Sequence, residues 1–253
     1  MSSTGNCFDI GESTRKALRM FERQQKAFAK KHNIPLEGMN FLSHQQLLAD
    51  FPVNCSEDGA AGNGVLMRLA PVPLFFYRKP LVAIENCGIS GHITHGDNRA
   101  YDACRYYGAL IVAVMHNTEK EELLSEKYYL SELSKWFENK PLDAEIDHVA
   151  RGSFKKKNGY KAGIRGKGYV VSALEAALWA FWITDSFDEG VLKAVNLGDD
   201  TDTTAAIYGQ LAGAYYGYDE LPSKWVECVY SKRFIECLCK WIVYEGSQFY
   251  SNN

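Results

Sequence analysis

The feature that most constrains the fold is an acidic, hydroxyl-rich cluster that runs directly into a helix of small residues. Residues 199–204 read Asp-Asp-Thr-Asp-Thr-Thr. Small residues then recur every four positions, which places them on one helical face: Ala205, Gly209, Gly213 and Gly217. Because each glycine costs a helix about 0.8–1 kcal/mol relative to alanine, this pattern predicts close approach of another backbone. Three apolar residues are expected to pack around that contact: Ile207, Leu211 and Ala214.

The acidic cluster itself indicates a cation site. Carboxylates this close repel one another unless a cation or a row of donors compensates them, and Mg²⁺ prefers such oxygen ligands. A surface turn is the simpler alternative, but an Asp- and Thr-rich turn is rarely followed by a segment that reads as deeply buried. The stretch also matches the Asp-x-Asp-x-Thr motif of haloacid-dehalogenase-type phosphatases. That motif follows a first strand, whereas here it precedes a helix about fifty residues from the end.

Composition narrows the class of protein. The 253 residues are 46% hydrophobic, enough for a sizeable core, and the net charge of −3 provides no basic field to recruit nucleic acid. The apolar runs are far shorter than a membrane span, and the first residues do not read as a signal peptide. Seven cysteines without a regular framework favour a reducing, cytoplasmic location. We expect Cys237 and Cys239, which lie in an amphipathic stretch, to be core residues.

Helical periodicity dominates the chain. Apolar stripes predict helices over residues 13–32, 97–114, 121–137 and 170–183, the second of them capped by Asp97. Ser186 with Glu189 forms a capping-box pattern, and Pro222 suits the first turn of a later helix. Convincing alternating strands are absent from the sequence. These patterns predict one compact all-α domain over residues 1–253.

Three further segments have simple alternatives. The glycine-rich loop at residues 59–64 leads into an apolar helix and suits an anion, but it is neither a P-loop nor a dinucleotide motif and alone reads as an ordinary turn. His92 and His95 are spaced for zinc, yet no further ligand stands at a matching spacing. The lysine run at residues 155–157 is typical of a solvated surface loop.

These stretches, taken together and in order, resemble the ADP-ribosylglycohydrolase family, of the dinitrogenase-reductase-activating type. The resemblance covers nearly the whole chain. The segments that carry it are residues 7–11, 61–64 with 67–71, Ser90 with Thr94 and His95, residues 168–171 with 174–179, and residues 196–217 with Pro222 and Trp225.

The resemblance implies a single orthogonal helical domain that binds a pair of Mg²⁺ ions and hydrolyses the bond joining ADP-ribose to a protein side chain or related acceptor. By this resemblance the metal ligands are Asp200, Asp202 and Thr203. Positions that contact the substrate correspond to Gly62, Asn63, Gly64, His95 and Tyr169. Mg²⁺ would hold the ribose hydroxyls and activate a water. The expected substrate is an ADP-ribosylated protein or a small ADP-ribose compound.

The sequence departs from the family in one respect. The family begins with a segment that carries a proposed general acid or base and a Thr-Asp-Asp triplet supplying the other half of the metal site, and no Thr-Asp-Asp occurs here. Residue 1 aligns with an internal family position, so we expect slow turnover or none, and no catalytic residue is assigned. Two functions stay open: a Mg²⁺-dependent hydrolase, and an inactive relative that binds ADP-ribose or a protein partner.

Overall fold

The computed structural model describes residues 10–41, 51 and 54–251, with residues 40 and 41 described by their backbone alone. Within these residues the regular structure is helical, apart from one isolated β-bridge between Gly62 and Tyr169. This confirms the all-α prediction. The α-helices are α1 Glu12–Lys31, α2 Gly64–Met67, α3 Pro71–Phe76, α4 Pro80–His92, α5 Asn98–Met115, α6 Lys120–Leu123, α7 Glu126–Ser131, α8 Ala144–Ala150, α9 Val170–Ile183, α10 Phe187–Val195, α11 Thr201–Tyr216, α12 Ser223–Glu227 and α13 Lys232–Ser251. Short 3₁₀ helices cover Leu36–Phe41, Leu133–Phe137, Gly159–Ala162 and Tyr218–Glu220.

Helix α5 is the centre of the core. Its residues 100–114 are all buried, and it packs against α4, α9 and α11. The Asp97 side chain caps the helix by accepting a hydrogen bond from the Arg99 backbone N–H at 2.8 Å, as the sequence predicted. A small separate cluster forms around Phe28, Ala29 and Met39 near α1.

Several helix predictions are confirmed within one or two residues, but the one over residues 121–137 is wrong. The segment is divided into α6, α7 and a 3₁₀ helix. The first piece ends at Leu123, and a new helix begins after Ser125, because the Ser125 hydroxyl accepts a hydrogen bond from the Tyr128 N–H at 3.0 Å and so forms an N-cap. Apolar spacing alone did not reveal this cap.

The predicted contact on the small face of α11 is also wrong for the described residues. A Cβ added at Gly209 or Gly213 would meet no described atom within 4 Å. Gly217 has a different role, since it ends the helix with φ +84°, a conformation that favours glycine. Ile207 and Leu211 are buried and Ala214 is partly buried, but they pack into the core and do not surround a contact on the small face.

The C-terminal helix α13 contradicts the core role of Cys237 and Cys239, which are both exposed. The helix is anchored on α3 near its C-terminal end, where a Cβ on Gly246 would lie 2.9 Å from the Phe75 carbonyl oxygen. Tyr250 donates a hydrogen bond to the Phe76 carbonyl at 2.8 Å. The preceding turns of α13 have no comparable helix against them among the described residues.

Candidate functional site

Two distant loops meet at the candidate site and are joined through their backbones. The Asn63 N–H donates to the Gly168 carbonyl at 2.9 Å, and the Val170 N–H donates to the Ala61 carbonyl at 3.0 Å. These bonds flank the Gly62–Tyr169 bridge. The loop at residues 62–64 and the loop before α9 therefore form one unit.

Asn63 connects this unit to the acidic cluster. Its side-chain amide donates to Asp200 Oδ2 at 2.7 Å and to the Lys167 carbonyl at 3.2 Å. The Asp200 backbone N–H in turn donates to the Gly166 carbonyl at 2.8 Å. Burial alone would raise the pKa of Asp200, but the hydrogen bond from Asn63 stabilises the carboxylate, and the net effect is a lowered pKa. Asp200 is therefore ionised at neutral pH.

The acidic cluster sits on the first turn of α11. Asp200 precedes the helix, Asp202 is exposed, and Thr203 is buried, with its hydroxyl 3.5 Å from the Met67 sulfur. The chain enters this turn through two left-handed residues, Gly198 (φ +76°) and Asp199 (φ +57°). Aspartate tolerates this region better than most side chains, so the sequence accommodates the sharp entry.

His95 packs directly against the glycine-rich loop. A Cβ added at Gly62 would lie 2.9 Å from His95 Nε2, and one at Gly64 would lie 3.7 Å from His95 Cε1. Gly62 therefore leaves room for the imidazole. Burial, with the nearby positive charge of Arg68 as a second cause, lowers the pKa of His95 to about 4, so the ring is neutral at pH 7.

A hydrogen-bond network holds the ring of His95. Arg68 donates to the Thr94 hydroxyl oxygen at 2.9 Å, and that hydroxyl lies 2.8 Å from His95 Nδ1. The Thr94 hydroxyl therefore links the His95 ring to Arg68 and holds the imidazole in place. Arg68 is itself held by Ser90 at 2.7 Å and 3.0 Å. The resemblance included Ser90, Thr94 and Arg68 without assigning them this role.

Tyr169 is held by two residues that the sequence analysis missed. Its hydroxyl accepts from Arg99 Nη1 at 3.0 Å and donates to Glu145 Oε2 at 2.8 Å. Arg99 also binds Asp97 with two hydrogen bonds of 2.7 and 2.8 Å. The only signal in the sequence was the position of Arg99, two residues after the helix cap Asp97.

The structure thus brings together Gly62, Asn63, Gly64, His95, Tyr169, Asp200 and Thr203, and places Asp202 on the exposed side of the same helical turn. The metal-binding capacity of this group is limited. Within the described part of the chain, no three His, Cys, Asp or Glu side chains cluster to hold an ion. Asp200 Oδ2 is engaged by Asn63. Asp200, Asp202 and Thr203 offer oxygen atoms of the kind that Mg²⁺ prefers, but three neighbouring ligands do not complete the near-octahedral shells of two ions.

Known proteins with similar sequences match about two thirds or more of this chain. The chain is 30% identical over 243 residues to the ADP-ribosylarginine hydrolase Tri1 of Serratia proteamaculans, covering 96% of this chain and 56% of that protein. It is 28% identical to the ADP-ribosyl-[dinitrogen reductase] glycohydrolase of Rhodospirillum rubrum, covering 67% of this chain and 51% of that protein. The human ADP-ribosylhydrolase ARH3 is 25% identical, with 66% and 53% covered. The chain spans about half the length of these curated relatives.

A solved structure described as an ADP-ribosylglycohydrolase-related protein complex superimposes with a TM-score of 0.68 at 27% identity, covering 94% of this chain and 82% of that one. None of the described helices is long and apolar enough to cross a membrane. The sequence profile of the ADP-ribosylglycohydrolases matches residues 1–250. On this match, which spans almost all of the sequence, the chain belongs to the ADP-ribosylglycohydrolase family.

Proposed function

We propose that this chain acts as a Mg²⁺-dependent hydrolase that removes ADP-ribose from a modified protein side chain or a small ADP-ribose compound. Water replaces the acceptor at the anomeric carbon of the ribose, and the acceptor leaves with a proton. The observation that carries the proposal is the hydrogen bond between Asn63 and Asp200. It joins the glycine-rich loop to the acidic turn, so that groups suited to phosphate and groups suited to a cation share one site.

The roles of the residues follow from their chemistry. The ionised Asp200, with Asp202 and Thr203, would hold one face of Mg²⁺, which supplies a Lewis acid for the ribose hydroxyls and for water. Glycines in the loop at residues 62–64 allow a phosphate close to the backbone. The neutral His95 places its Nε2 beside that loop. The described cysteines are free thiols, which supports a reducing compartment such as the cytoplasm.

The test measures release of ADP-ribose from an ADP-ribosylarginine protein, with Mg²⁺ and with EDTA. We expect slow release that depends on Mg²⁺ and that falls roughly 100-fold or more in Asp200→Asn, because removing the carboxylate removes a metal ligand. Asp188→Asn is the matched control: Asp188 also lies at the start of a helix, but its carboxylate accepts a hydrogen bond from Ser186 outside the site. Equal loss in both variants would contradict the assignment of Asp200.

A second candidate function is ADP-ribose binding without turnover. It is favoured by one observation, the lack of any three clustered His, Cys, Asp or Glu side chains within the described residues. Calorimetric titration with ADP-ribose separates the two. Binding of ADP-ribose together with no release from several linkages, arginine- and serine-linked included, would support this second function. Release above the Asp200→Asn background would support the hydrolase.

A further inference from the structure

The hydroxyl of Tyr169 is held by two hydrogen bonds, one accepted and one donated. It accepts from Arg99 and donates to Glu145, and Arg99 Nη1 closes the triangle with Glu145 Oε1 at 3.2 Å. A tyrosine whose hydroxyl makes one bond as donor and one as acceptor has its ring plane and tilt constrained at the far end. The guanidinium also lies 5.5 Å from the ring centre, which adds a cation–π contact.

The backbone of Tyr169 is fixed independently. The bridge to Gly62 and the Val170–Ala61 hydrogen bond hold it against the glycine-rich loop. The ring is therefore anchored at both ends, at Cα by the loop of residues 61–64 and at the hydroxyl by Arg99 and Glu145. A side chain locked in this way is pre-organised for contact with a ligand.

Arg99 connects the ring to the rigid centre of the protein. Its fork binds both oxygens of Asp97, whose side chain is 10% exposed and caps the buried helix α5. Asp97 also lies two residues after His95. One guanidinium thus ties together the His95 loop, the Tyr169 loop and helix α8, which carries Glu145.

We propose that Arg99 and Glu145 are positioning residues that set the orientation of the Tyr169 ring toward a bound ADP-ribosyl group. The role of this ring as a ligand contact rests on the proposed function. Arg99 and Glu145 act through Tyr169, so their effect on binding depends on the tyrosine hydroxyl being present. Lysine cannot replace arginine here, since a single ammonium group cannot bind Asp97 in a bidentate manner and also reach the tyrosine hydroxyl.

The protein contains a matched control for this triad. Tyr129 donates to Asp147 at 2.6 Å, and Arg151 donates to the same carboxylate at 2.6 Å, with its guanidinium 6.0 Å from the Tyr129 ring. This Arg–carboxylate–Tyr group lies outside the candidate site. Arg151→Lys therefore makes the same chemical change as Arg99→Lys without touching the Tyr169 ring.

The first experiment is a double-mutant cycle on the affinity of the full chain for ADP-ribose. We expect Arg99→Lys to raise Kd about tenfold and Arg151→Lys to change it less than about twofold. In a Tyr169→Phe background, Arg99→Lys should add less than about twofold, because the hydroxyl through which it acts is gone. A tenfold effect of Arg99→Lys that persists in Tyr169→Phe would overturn the proposal.

The second experiment needs no ligand. With 3-fluorotyrosine incorporated, the ¹⁹F resonance of Tyr169 is assigned by its absence from Tyr169→Phe. We expect Arg99→Lys to shift or broaden this resonance while Arg151→Lys leaves it unchanged. An unaltered Tyr169 resonance in Arg99→Lys would overturn the positioning role. If the wild-type chain fails to bind ADP-ribose, the proposed function fails, and the ¹⁹F result still decides whether Arg99 orients the ring.

Discussion

Helices α5 and α13 have similar lengths, 18 and 20 residues, and both are rich in apolar side chains, but their surroundings differ completely. In α5 every residue from 100 to 114 is buried. In α13 only Gly246 is buried, and Trp241 and Tyr244 are 59% and 60% exposed. The apolar face of an amphipathic helix normally lies against the core.

The difference shows that apolar content by itself does not decide burial. Helix α5 has neighbours on several sides, namely α4, α9 and α11, whereas α13 is anchored on α3. The stability of the protein should therefore be concentrated around α5, while α13 contributes through its anchor at Gly246 and Tyr250. The four predictions below contrast buried with exposed positions, on α5 and α13 and elsewhere in the described chain.

The largest effect is expected from a pair of leucine truncations. Leu110 on α5 is fully buried, whereas Leu238 on α13 is 37% exposed. We expect Leu110→Ala to lower the free energy of unfolding by about 2–5 kcal/mol, through lost burial and the cavity left behind. Leu238→Ala should lower it by less than about 1 kcal/mol. Urea unfolding measures both values, and similar losses in the two variants would show that α13 is buried in solution.

The next prediction concerns the pH dependence of the free energy of unfolding, which the buried His95 influences. Its pKa is about 4 in the folded chain, against an ordinary value of 6.5. Above pH 6.5 the imidazole is neutral in both the folded and the unfolded chain, so its full contribution to the free energy of unfolding is present. As the pH falls from 6.5 to 4, the unfolded chain binds a proton that the folded chain does not, and stability decreases by up to about 3 kcal/mol.

Unfolding free energies measured between pH 7 and pH 4 test this prediction. His95→Gln serves as the control, because it retains a polar side chain but has no group that titrates in this range. The slope of stability against pH should be flatter in His95→Gln than in the wild type. Identical slopes would mean that His95 is accessible to protons in the folded protein.

A smaller contrast is expected between two glycines. A Cβ added at Gly190 would lie 2.0 Å from the Tyr208 hydroxyl oxygen, so Gly190→Ala should cost about 1–3 kcal/mol through overpacking. Gly213 on α11 faces open space in the described structure. Gly213→Ala should raise the unfolding free energy by up to about 1 kcal/mol, from helix propensity alone. A loss of stability in Gly213→Ala would reveal a neighbour packed on that face.

The last prediction concerns thiol labelling of the native protein, which requires no substitution. Three described cysteines near or on α13 are exposed: Cys228, Cys237 and Cys239. Cys87 on α4 and Cys104 on α5 are buried, and burial raises the pKa of both thiols, which slows their reaction further. Peptide mapping after brief labelling should find adducts on the first group and not on Cys87 or Cys104. Protection of Cys237 and Cys239 would indicate that α13 is covered.

Local signals in the sequence predicted much of the helical structure. The cap at Asp97 and the run from Val170 to Ile183 were readable because both depend on neighbouring residues. The division of residues 121–137 was missed because a cap at Ser125 competes with a continuous apolar stripe. The prediction that Cys237 and Cys239 are buried was wrong. Amphipathic spacing shows which residues share a face, but it does not show whether another element covers that face.

The candidate site could be predicted only in part, because local signals reveal separate motifs and do not reveal the contacts between them. The glycine-rich loop, His95 and the acidic turn are recognisable as separate motifs, and their ligand roles stay predictions. Their meeting depends on the Asn63–Asp200 hydrogen bond, whose partners lie 137 positions apart, and no local pattern encodes such a contact. Arg99 and Glu145 were missed because neither belongs to a motif, and their importance appears only when the Tyr169 hydroxyl is located.

The long sequence separations at the candidate site also bear on the order of folding. Asn63 meets Lys167 and Asp200 at separations of 104 and 137 residues, and Gln210 donates to the Leu66 carbonyl across 144. Closing such large loops costs chain entropy before any contact compensates for it. The site should therefore form late, after the helices around α5 have assembled. A ligand that requires all these segments would bind only the fully assembled chain, and so would slow its global unfolding.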